Sequence, residues 1–222
     1  MINTNVPGEI SRQELKAIEA VAPLVPVNGT MVEVGSYLGL SSWHWAKNTH
    51  PSVEVYCLDP WDGYRGSSLK KFRENTSDCT NIFPMQGYSP KDFESWDRKV
   101  DLYFEDAVHK NPILQENIDF WCQFLNEESI VCGHDYTDRF PDVVDAAHAL
   151  SSSDSSLTLH IVETFWCIFP KSNDPIRQSQ FDECSKKLME LAQTSKTVSP
   201  GDKAIIEARK SRVDEIPSFA YS

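Results

Sequence analysis

Short apolar runs alternate along this chain with segments in which apolar residues recur at helical spacing. The apolar runs, which predict strands, lie at residues 31–34, 53–59, 82–85, 101–105, 129–133, 157–164 and 165–169. The helical pattern lies at residues 11–22, 43–47, 67–78, 113–125, 141–150, 181–192 and 204–213. Strands separated by helices predict an α/β fold with a mainly parallel sheet, whereas the last two runs adjoin each other and predict an antiparallel pair.

The first helix is marked by a capping box. Ser11 and Glu14 have the spacing at which the serine caps the first turn and the glutamate reaches back to the serine amide. Pro23 and Pro26 end the helix before the first strand. We expect this helix to cover one edge of the sheet or the back of a bound ligand.

The first strand runs into a turn that contains two glycines. Residues 33–39 have the spacing Glu-x-Gly-x-x-x-Gly. Gly35 can adopt a positive φ, Gly39 permits close approach of a ligand, and the amides that begin the next helix favour a polar group. The spacing differs from that of dinucleotide-binding and phosphate-binding loops. The turn alone leaves two interpretations open, which are a ligand site and simple packing of a helix on the sheet.

The second strand ends in a carboxylate. Asp59 is followed by Pro60 and Trp61. In doubly wound folds, an acid at this position lies across from the first glycine turn and accepts hydrogen bonds from both ribose hydroxyls. Trp61 offers an apolar wall beside the ribose. The polar segment 63–81, which includes a loop around residues 64–66, is the best candidate for a lid, and the alternative is that residues 67–78 form a plain surface helix.

Polar side chains also follow the fourth and fifth strands. Asp106 ends the fourth, and His134 and Asp135 end the fifth. We expect the three side chains to converge at the carboxyl edge of the sheet, where α/β folds bind ligands. Two carboxylates and an imidazole suit a divalent metal. The alternative is that Asp135 caps a turn, His134 fills space and Asp106 orients a substrate.

His109 is the first candidate for a general base. It lies shortly after the fourth strand, and an ordinary histidine pKa near 6.5 fits proton abstraction at neutral pH. The competing interpretation is that His109 caps the turn at Asn111 and Pro112.

These residues together resemble the class I S-adenosylmethionine-dependent methyltransferases, including the small-molecule and sugar O-methyltransferases of the macrocin type. The resemblance covers about residues 28–170 and is carried by segments 33–41, 86–89, 101–109 and 130–136 and by Asp59. It implies a Rossmann-like fold with a seven-stranded, mostly parallel sheet, an antiparallel edge strand and helices on both faces. It also implies S-adenosyl-L-methionine as the cofactor and Mg²⁺ or Mn²⁺ as the metal.

The resemblance assigns roles to individual residues. The cofactor-binding set comprises Glu33, Gly35, Ser36, Tyr37, Gly39, Ser41, Asp59, Trp61, Gly87, Ser89 and Asp106. The metal ligands that it implies are Asp106, His134 and Asp135. The predicted catalytic residues are His109 and Asp106, of which His109 is chosen from its position and chemistry and not from the resemblance. Two departures affect the mechanism, because related metal-dependent enzymes usually have an acid in place of His134, and many have an Asp, proposed as the base, where this chain has Val108.

Composition narrows the range of partners. The formal net charge of −12 argues against nucleic acid as a substrate, since phosphate-backbone binding needs clustered Lys and Arg. No apolar run approaches the length of a membrane span, so we expect no membrane partner. The six cysteines are scattered, which favours reduced, packing thiols over disulfides or a zinc site.

The 222 residues predict one domain in three parts. Residues 1–27 form an N-terminal helical region, residues 28–170 the methyltransferase core, and residues 171–222 a C-terminal helical extension that caps the site, pairs subunits of a homo-oligomer, or does neither. The first residues lack the pattern of a secretory signal, so we expect a cytoplasmic protein.

The leading functional hypothesis is a metal-assisted O-methyltransferase that acts on a small hydroxylated molecule such as a sugar or a glycosylated metabolite. One alternative is a metal-independent methyltransferase that uses His109 as the base with Asp106. Another is a non-catalytic binding module that keeps the cofactor fold. A nicotinamide-dependent oxidoreductase is the least favoured, because the glycine spacing differs from the dinucleotide fingerprint.

Overall fold

The chain enters its fold through helix α1, Arg12–Val21, which begins at the predicted capping box. The Ser11 hydroxyl accepts a hydrogen bond from the Glu14 amide, and the Glu14 carboxylate accepts one from the Ser11 amide at 2.7 Å. The computed structural model describes residues 6–195. The helix predicted at residues 204–213 lies outside this range.

The helices and strands follow the order that the sequence pattern predicts. The strands are β1 Thr30–Val34, β2 Glu54–Asp59, β3 Ile82–Gln86, β4 Val100–Glu105, β5 Leu125–Gly133, β6 Thr158–Val162 and β7 Phe165–Phe169. The remaining helices are α2 Leu40–Asn48, α3 Leu69–Asn75, α4 Ile113–Cys122, α5 Pro141–Ser152 and α6 Pro175–Thr194, with 3₁₀ turns at Ala22–Leu24, Tyr64–Gly66 and Lys91–Phe93.

Several element boundaries differ from the prediction: α2 begins three residues earlier, at Leu40, α6 begins six residues earlier, at Pro175, and α3 is shorter, at Leu69–Asn75. The boundary between α4 and β5 differs as well. The helical pattern extends to Leu125, but α4 ends at Cys122 and Leu125 pairs with Val100 as the first residue of β5. An apolar residue at a helix–strand junction satisfies both periodicities, so only the pairing with β4 decides its place.

The seven strands form a single sheet in the order β3-β2-β1-β4-β5-β7-β6. The pairings among β1 to β5 are parallel, and β7 pairs antiparallel with both β5 and β6. The predicted seven-stranded, mostly parallel sheet is therefore confirmed, with its antiparallel strand β7 lying between β5 and the edge strand β6. The strand order reverses between β1 and β4, which is where doubly wound folds bind their ligands.

Apolar side chains on the two faces of the sheet form two cores. On one face, Trp45 and Phe104 pack with residues of α1, α2 and α6, and on the other face Tyr103 packs with Trp121 of α4 and Trp166. Adjacent residues of β4 thus face opposite cores, as the period of a strand requires. Within residues 6–195, none of the helices has the length and apolar character needed to cross a membrane.

Candidate active site

The turn between β1 and α2 is closed against the ends of two neighbouring strands. Gly35 has φ 93° and Gly39 has φ 92°, a left-handed conformation that favours glycine. The Gly35 amide donates to the Leu58 carbonyl at 2.8 Å, and a Cβ at Gly35 would overlap the main-chain carbonyl of Asp106. The predicted ligand turn therefore touches the residue that ends β4.

The polar residues of this turn are engaged inside the fold. Glu33 is fully buried and accepts a hydrogen bond from the Ser42 hydroxyl. Burial raises the pKa of Glu33 to about 6, although hydrogen bonds from Ser41, Ser42 and Ser36 oppose the rise. These buried contacts stabilise the conformation of the turn. A direct contact of Glu33, Ser36 or Ser41 with the cofactor stays a prediction.

Asp59 fixes the outer side of the same turn. Its carboxylate accepts hydrogen bonds from the amides of Tyr37 at 2.9 Å and Trp61 at 2.7 Å. Burial raises the pKa of Asp59 to about 6, against the lowering effect of those two amides. The side chain thus lies where the sequence predicts it, beside the glycine turn at the carboxyl edge of the sheet.

Trp61 supports the turn through packing and one hydrogen bond. Its indole N–H donates to the Tyr37 carbonyl at 2.8 Å, and its ring packs against Phe72 at a centroid distance of 4.8 Å. The side chain is only 5% exposed, so little of its surface is open to a ligand. Its predicted place beside the ribose stays a prediction.

The predicted adenine-side residues follow β3. The Gly87 amide donates to the Asp59 carbonyl at 3.1 Å, which places Gly87 next to the acid predicted to bind the ribose. The Ser89 hydroxyl accepts a hydrogen bond from the Trp121 indole at 2.9 Å, on the side of α4. Gly87 therefore lies next to Asp59, which contacts the glycine turn, whereas Ser89 contacts helix α4.

The three predicted metal ligands lie together. One ligand atom from each of Asp106, His134 and Asp135 falls within 4.8 Å of the other two. His134 Nδ1 is 3.4 Å from Asp106 Oδ1 and 3.5 Å from Asp135 Oδ2. The convergence expected from the strand ends is therefore present, and the donor set fits a divalent cation that accepts both nitrogen and carboxylate oxygen.

His109 joins this cluster, and the Asn111 amide in the turn that follows it donates to the Asp142 carboxylate at 2.8 Å. His109 Nε2 lies 2.8 Å from Asp135 Oδ2 and 4.0 Å from Asp106 Oδ1, and its ring stacks on Phe140 at 4.5 Å. Burial alone would lower the pKa of His109, but the hydrogen bonds and charges of Asp106 and Asp135 outweigh burial and raise it to about 10. The ordinary pKa assumed for a base is thus wrong for this arrangement, in which His109 holds a proton at neutral pH.

His134 has a further acidic neighbour that sequence reasoning missed. Its Nε2 lies 3.2 Å from Glu14 Oε2 and 3.1 Å from Thr164 Oγ1. Burial lowers the pKa of His134, but the carboxylates of Glu14, Asp106 and Asp135 together raise it well above its usual value. No signal in the sequence identified Glu14 as a site residue, because the capping box already accounted for it.

Four other histidines lie outside the cluster. Nδ1 of His50 lies 2.8 Å from the Ser52 hydroxyl oxygen. His44 faces Glu19 at 3.2 Å, His148 hydrogen bonds the Tyr136 hydroxyl at 2.8 Å, and His160 hydrogen bonds the Ser185 hydroxyl at 3.0 Å. Each of these histidines contacts a neighbouring residue of the scaffold.

Comparison with known proteins matches the central part of the chain to one family. The model of a methyltransferase domain family matches residues 32–136, a range that includes the glycine turn, Asp59 and the cluster at Asp106, His134 and Asp135. A search of curated protein sequences found no significant match.

Solved structures with the same fold are distant in sequence. A methyltransferase from Geobacter sulfurreducens has 17% identity and a TM-score of 0.58, covering 74% of this chain and 81% of its own. An O-methyltransferase from Bacillus cereus in complex with S-adenosylhomocysteine has 13% identity and a TM-score of 0.57, covering 74% and 83%. An rRNA methylase from Streptococcus thermophilus has 14% identity and a TM-score of 0.56, covering 72% and 98%. At these identities the likeness establishes the fold alone.

Proposed function

We propose that this chain, an S-adenosylmethionine-dependent methyltransferase whose catalytic domain includes residues 32–136, methylates a hydroxyl group of a small molecule with the help of a divalent cation. One observation carries the proposal. The main chain of the glycine turn at Gly35 packs directly against Asp106, so the predicted cofactor site and the carboxylate–histidine cluster adjoin each other. A methyl donor and a hydroxyl acceptor held by these two sites would lie side by side.

The cofactor is expected to bind over the glycine turn. The open amides at the start of α2 and the Asp59 carboxylate, which accepts hydrogen bonds from two ribose hydroxyls, supply its polar contacts. The amides of Tyr37 and Trp61 already hold the Asp59 carboxylate in place, so it is oriented before the cofactor arrives. Such preorganisation reduces the entropy lost on binding.

Asp106, His134 and Asp135 are the residues that would hold a divalent cation. Their donor atoms lie close enough to meet at one ion, and their combined charge of two carboxylates suits Mg²⁺ or Mn²⁺. A cation bound there supplies a Lewis acid that lowers the pKa of a coordinated acceptor hydroxyl. The protein then has to orient that oxygen in line with the methyl group, which is the main requirement of a displacement at carbon.

His109 is suited to take the acceptor's proton once the two aspartates bind the cation. The charges of Asp106 and Asp135 keep the pKa of His109 at about 10. A cation held by the two aspartates would weaken their effect on the imidazole and so lower its pKa. The ring of His109, which stacks on Phe140, would then be able to accept the proton of the acceptor hydroxyl.

A small hydroxylated acceptor, such as a sugar or a glycosylated metabolite, agrees best with the charge of the chain. A net charge of −12 opposes the binding of a phosphate backbone. The fold neighbour from Bacillus cereus is an O-methyltransferase, which supports transfer to oxygen. The Streptococcus thermophilus neighbour is an rRNA methylase, so this fold also occurs in a methylase for RNA. The negative charge of the present chain favours a small-molecule acceptor over RNA.

A metal-independent route is favoured by one observation. His109 lies within hydrogen-bonding distance of Asp135 and near Asp106, which is the arrangement of an imidazole oriented by carboxylates for general base catalysis. This route requires His109 to lose its proton while both aspartates remain charged, which its raised pKa disfavours at neutral pH.

The test is a methyl-transfer assay with isotopically labelled S-adenosylmethionine and a panel of sugars and glycosides, with and without Mn²⁺ or a chelator. We expect label transfer that needs the cation and is lost in Asp135→Ala, while the same variant keeps its affinity for S-adenosylhomocysteine. Full activity in chelator contradicts the cation and favours the route through His109. Failure to bind S-adenosylhomocysteine at all contradicts the proposed cofactor site.

A further inference from the structure

Glu14 lies in the first helix, outside the residues that match the methyltransferase domain family, yet it reaches the cluster at the ends of β4 and β5. Its side chain is fully buried, and its Oε2 lies 3.2 Å from His134 Nε2. The opposite ring nitrogen, Nδ1, faces Asp106 and Asp135. His134 is therefore held between Glu14 on one side and the two aspartates on the other.

Both oxygens of Glu14 serve as acceptors. Oε2 accepts from the Ser11 amide at 2.7 Å, and Oε1 accepts from the Thr164 amide at 3.1 Å and the Thr164 hydroxyl at 2.5 Å. Ser11 begins α1 and Thr164 lies in the turn between β6 and β7, so these bonds fix the carboxylate from two separate parts of the chain. A group anchored in this way can fix the orientation of the ring next to it.

We propose that Glu14 is a positioning residue, which accepts a hydrogen bond from His134 Nε2–H and so directs the Nδ1 lone pair of His134 towards a divalent cation held with Asp106 and Asp135. A metal-ligating histidine generally donates its other N–H to such a partner, which fixes the tautomer and the ring orientation. The inference rests on the proposed function, since it gives a role to a residue around the proposed cation.

The Thr164 hydroxyl strengthens this arrangement. It donates to Glu14 Oε1, so its own oxygen is left to face His134 Nε2 as an acceptor at 3.1 Å. Every group around Nε2 is then an acceptor, and the proton of the neutral imidazole belongs on Nε2. Nδ1 is consequently the nitrogen that is free to coordinate.

The experiment measures Mn²⁺ and S-adenosylhomocysteine binding separately in the full chain. Mn²⁺ affinity is read from the electron paramagnetic resonance signal of free Mn²⁺, and S-adenosylhomocysteine affinity from calorimetry. Glu14→Gln is the main variant, because an amide offers one acceptor oxygen where the structure needs two. We expect it to weaken Mn²⁺ binding by about 10- to 100-fold and to leave S-adenosylhomocysteine affinity unchanged, since the hydrogen bonds of Glu14 run to Ser11 and Thr164, whereas the glycine turn is held by Leu58 and Asp59.

Ser11→Ala is the matched control. It removes the capping hydroxyl of α1 but keeps the Ser11 amide that donates to Glu14. It should lower the thermal stability without changing Mn²⁺ affinity. If Glu14→Gln does not fold, Glu14→Asp replaces it, because this shorter carboxylate remains an acceptor but withdraws from Nε2, and the same selective loss of Mn²⁺ affinity is expected.

Three results would overturn the inference. The first is unchanged Mn²⁺ affinity in the folded Glu14 variant, and the second is an equal loss of Mn²⁺ affinity in Ser11→Ala. The third is a parallel loss of S-adenosylhomocysteine affinity in the Glu14 variant, which would indicate a structural role for Glu14. A parent protein that binds S-adenosylhomocysteine but no Mn²⁺ overturns the cation in the proposed function and this inference with it. Unchanged Mn²⁺ affinity in the Glu14 variant of a parent that does bind Mn²⁺ overturns the inference alone.

Discussion

At the scale of single residues, Asp59 is the residue that we propose to bind the ribose of the cofactor. We expect Asp59→Ala to weaken S-adenosylhomocysteine binding by about 2–4 kcal/mol, because it removes charge-assisted hydrogen bonds to two hydroxyls. Calorimetry measures this loss directly. Glu54→Gln, at the opposite end of the same strand, is the control and should bind normally. Equal affinity in Asp59→Ala and the parent would show that Asp59 does not bind the ribose.

The raised pKa of Asp59 predicts a pH dependence of cofactor binding. Ribose hydroxyls donate to the ionised carboxylate, so binding favours loss of the proton that the free protein holds below its pKa of about 6. Affinity should therefore be constant above about pH 7 and fall by up to about tenfold per pH unit below the pKa. Calorimetry with S-adenosylhomocysteine across this range measures the slope.

The control for this pH dependence is Asp59→Asn. Glu33 has a pKa of about 6 in the same turn, and Asp62 adds to the rise at Asp59, so these neighbours have to be separated from Asp59 itself. If Asp59 causes the dependence, the slope disappears in Asp59→Asn. A slope of the same size in that variant would assign it to Glu33.

At the scale of elements, the turn from β1 to α2 depends on the absence of a side chain at Gly35. Gly35→Ala adds a Cβ that overlaps the Asp106 carbonyl, so the variant should lose cofactor binding and unfold at a lower temperature than the parent. Gly63→Ala is a matched control, because its φ of 98° is similar and nothing lies within 4 Å of the added Cβ. It should cost only the backbone strain of about 1–2 kcal/mol. Equal losses of stability and cofactor affinity in both variants would contradict the close approach of Gly35 to Asp106.

The order of elements could be predicted from the sequence because hydrophobic periodicity is a local property. The capping box at Ser11, the glycine turn at Gly35 and the short strand β3 are all found where their local pattern indicates. Long-range strand pairings could not be predicted in this way. Neither the place of β7 between β5 and β6 nor the start of β5 at Leu125 follows from local periodicity.

The candidate site likewise contains features that local sequence patterns predict and features that depend on long-range contacts. The convergence of Asp106, His134 and Asp135 was predictable, because parallel strands bring their carboxyl ends to one edge. The contact of Glu14 with Thr164 joins residues 150 positions apart, and only the packing of α1 on the fold creates it. The high pKa of His109 likewise depends on two charges brought close by the fold.

At the scale of the whole molecule, the negative charge of the chain bears on its choice of acceptor. With a net charge of −12, we expect no binding to ribosomal RNA fragments in an electrophoretic mobility assay at physiological salt. The rRNA methylase from Streptococcus thermophilus is the natural positive control, since it shares the fold. Tight, salt-dependent RNA binding by this chain would contradict a small-molecule acceptor.

The functional unit extends beyond the residues that match the family. Residues 32–136 hold the cofactor turn and the proposed cation ligands, while Glu14 and Thr164 reach the cluster from α1 and from the turn between β6 and β7. Residues outside the matched range therefore contribute to the arrangement of the site.

The central claim is that one edge of this sheet holds both a methyl donor and a divalent cation. A crystal structure of the full chain grown with S-adenosylhomocysteine and Mn²⁺, with anomalous data for manganese, tests it most directly. We predict cofactor density over Gly35 with the ribose on Asp59, and an anomalous peak coordinated by Asp106, His134 and Asp135. Cofactor bound elsewhere, or bound cofactor with no anomalous peak between these three side chains, would contradict the account.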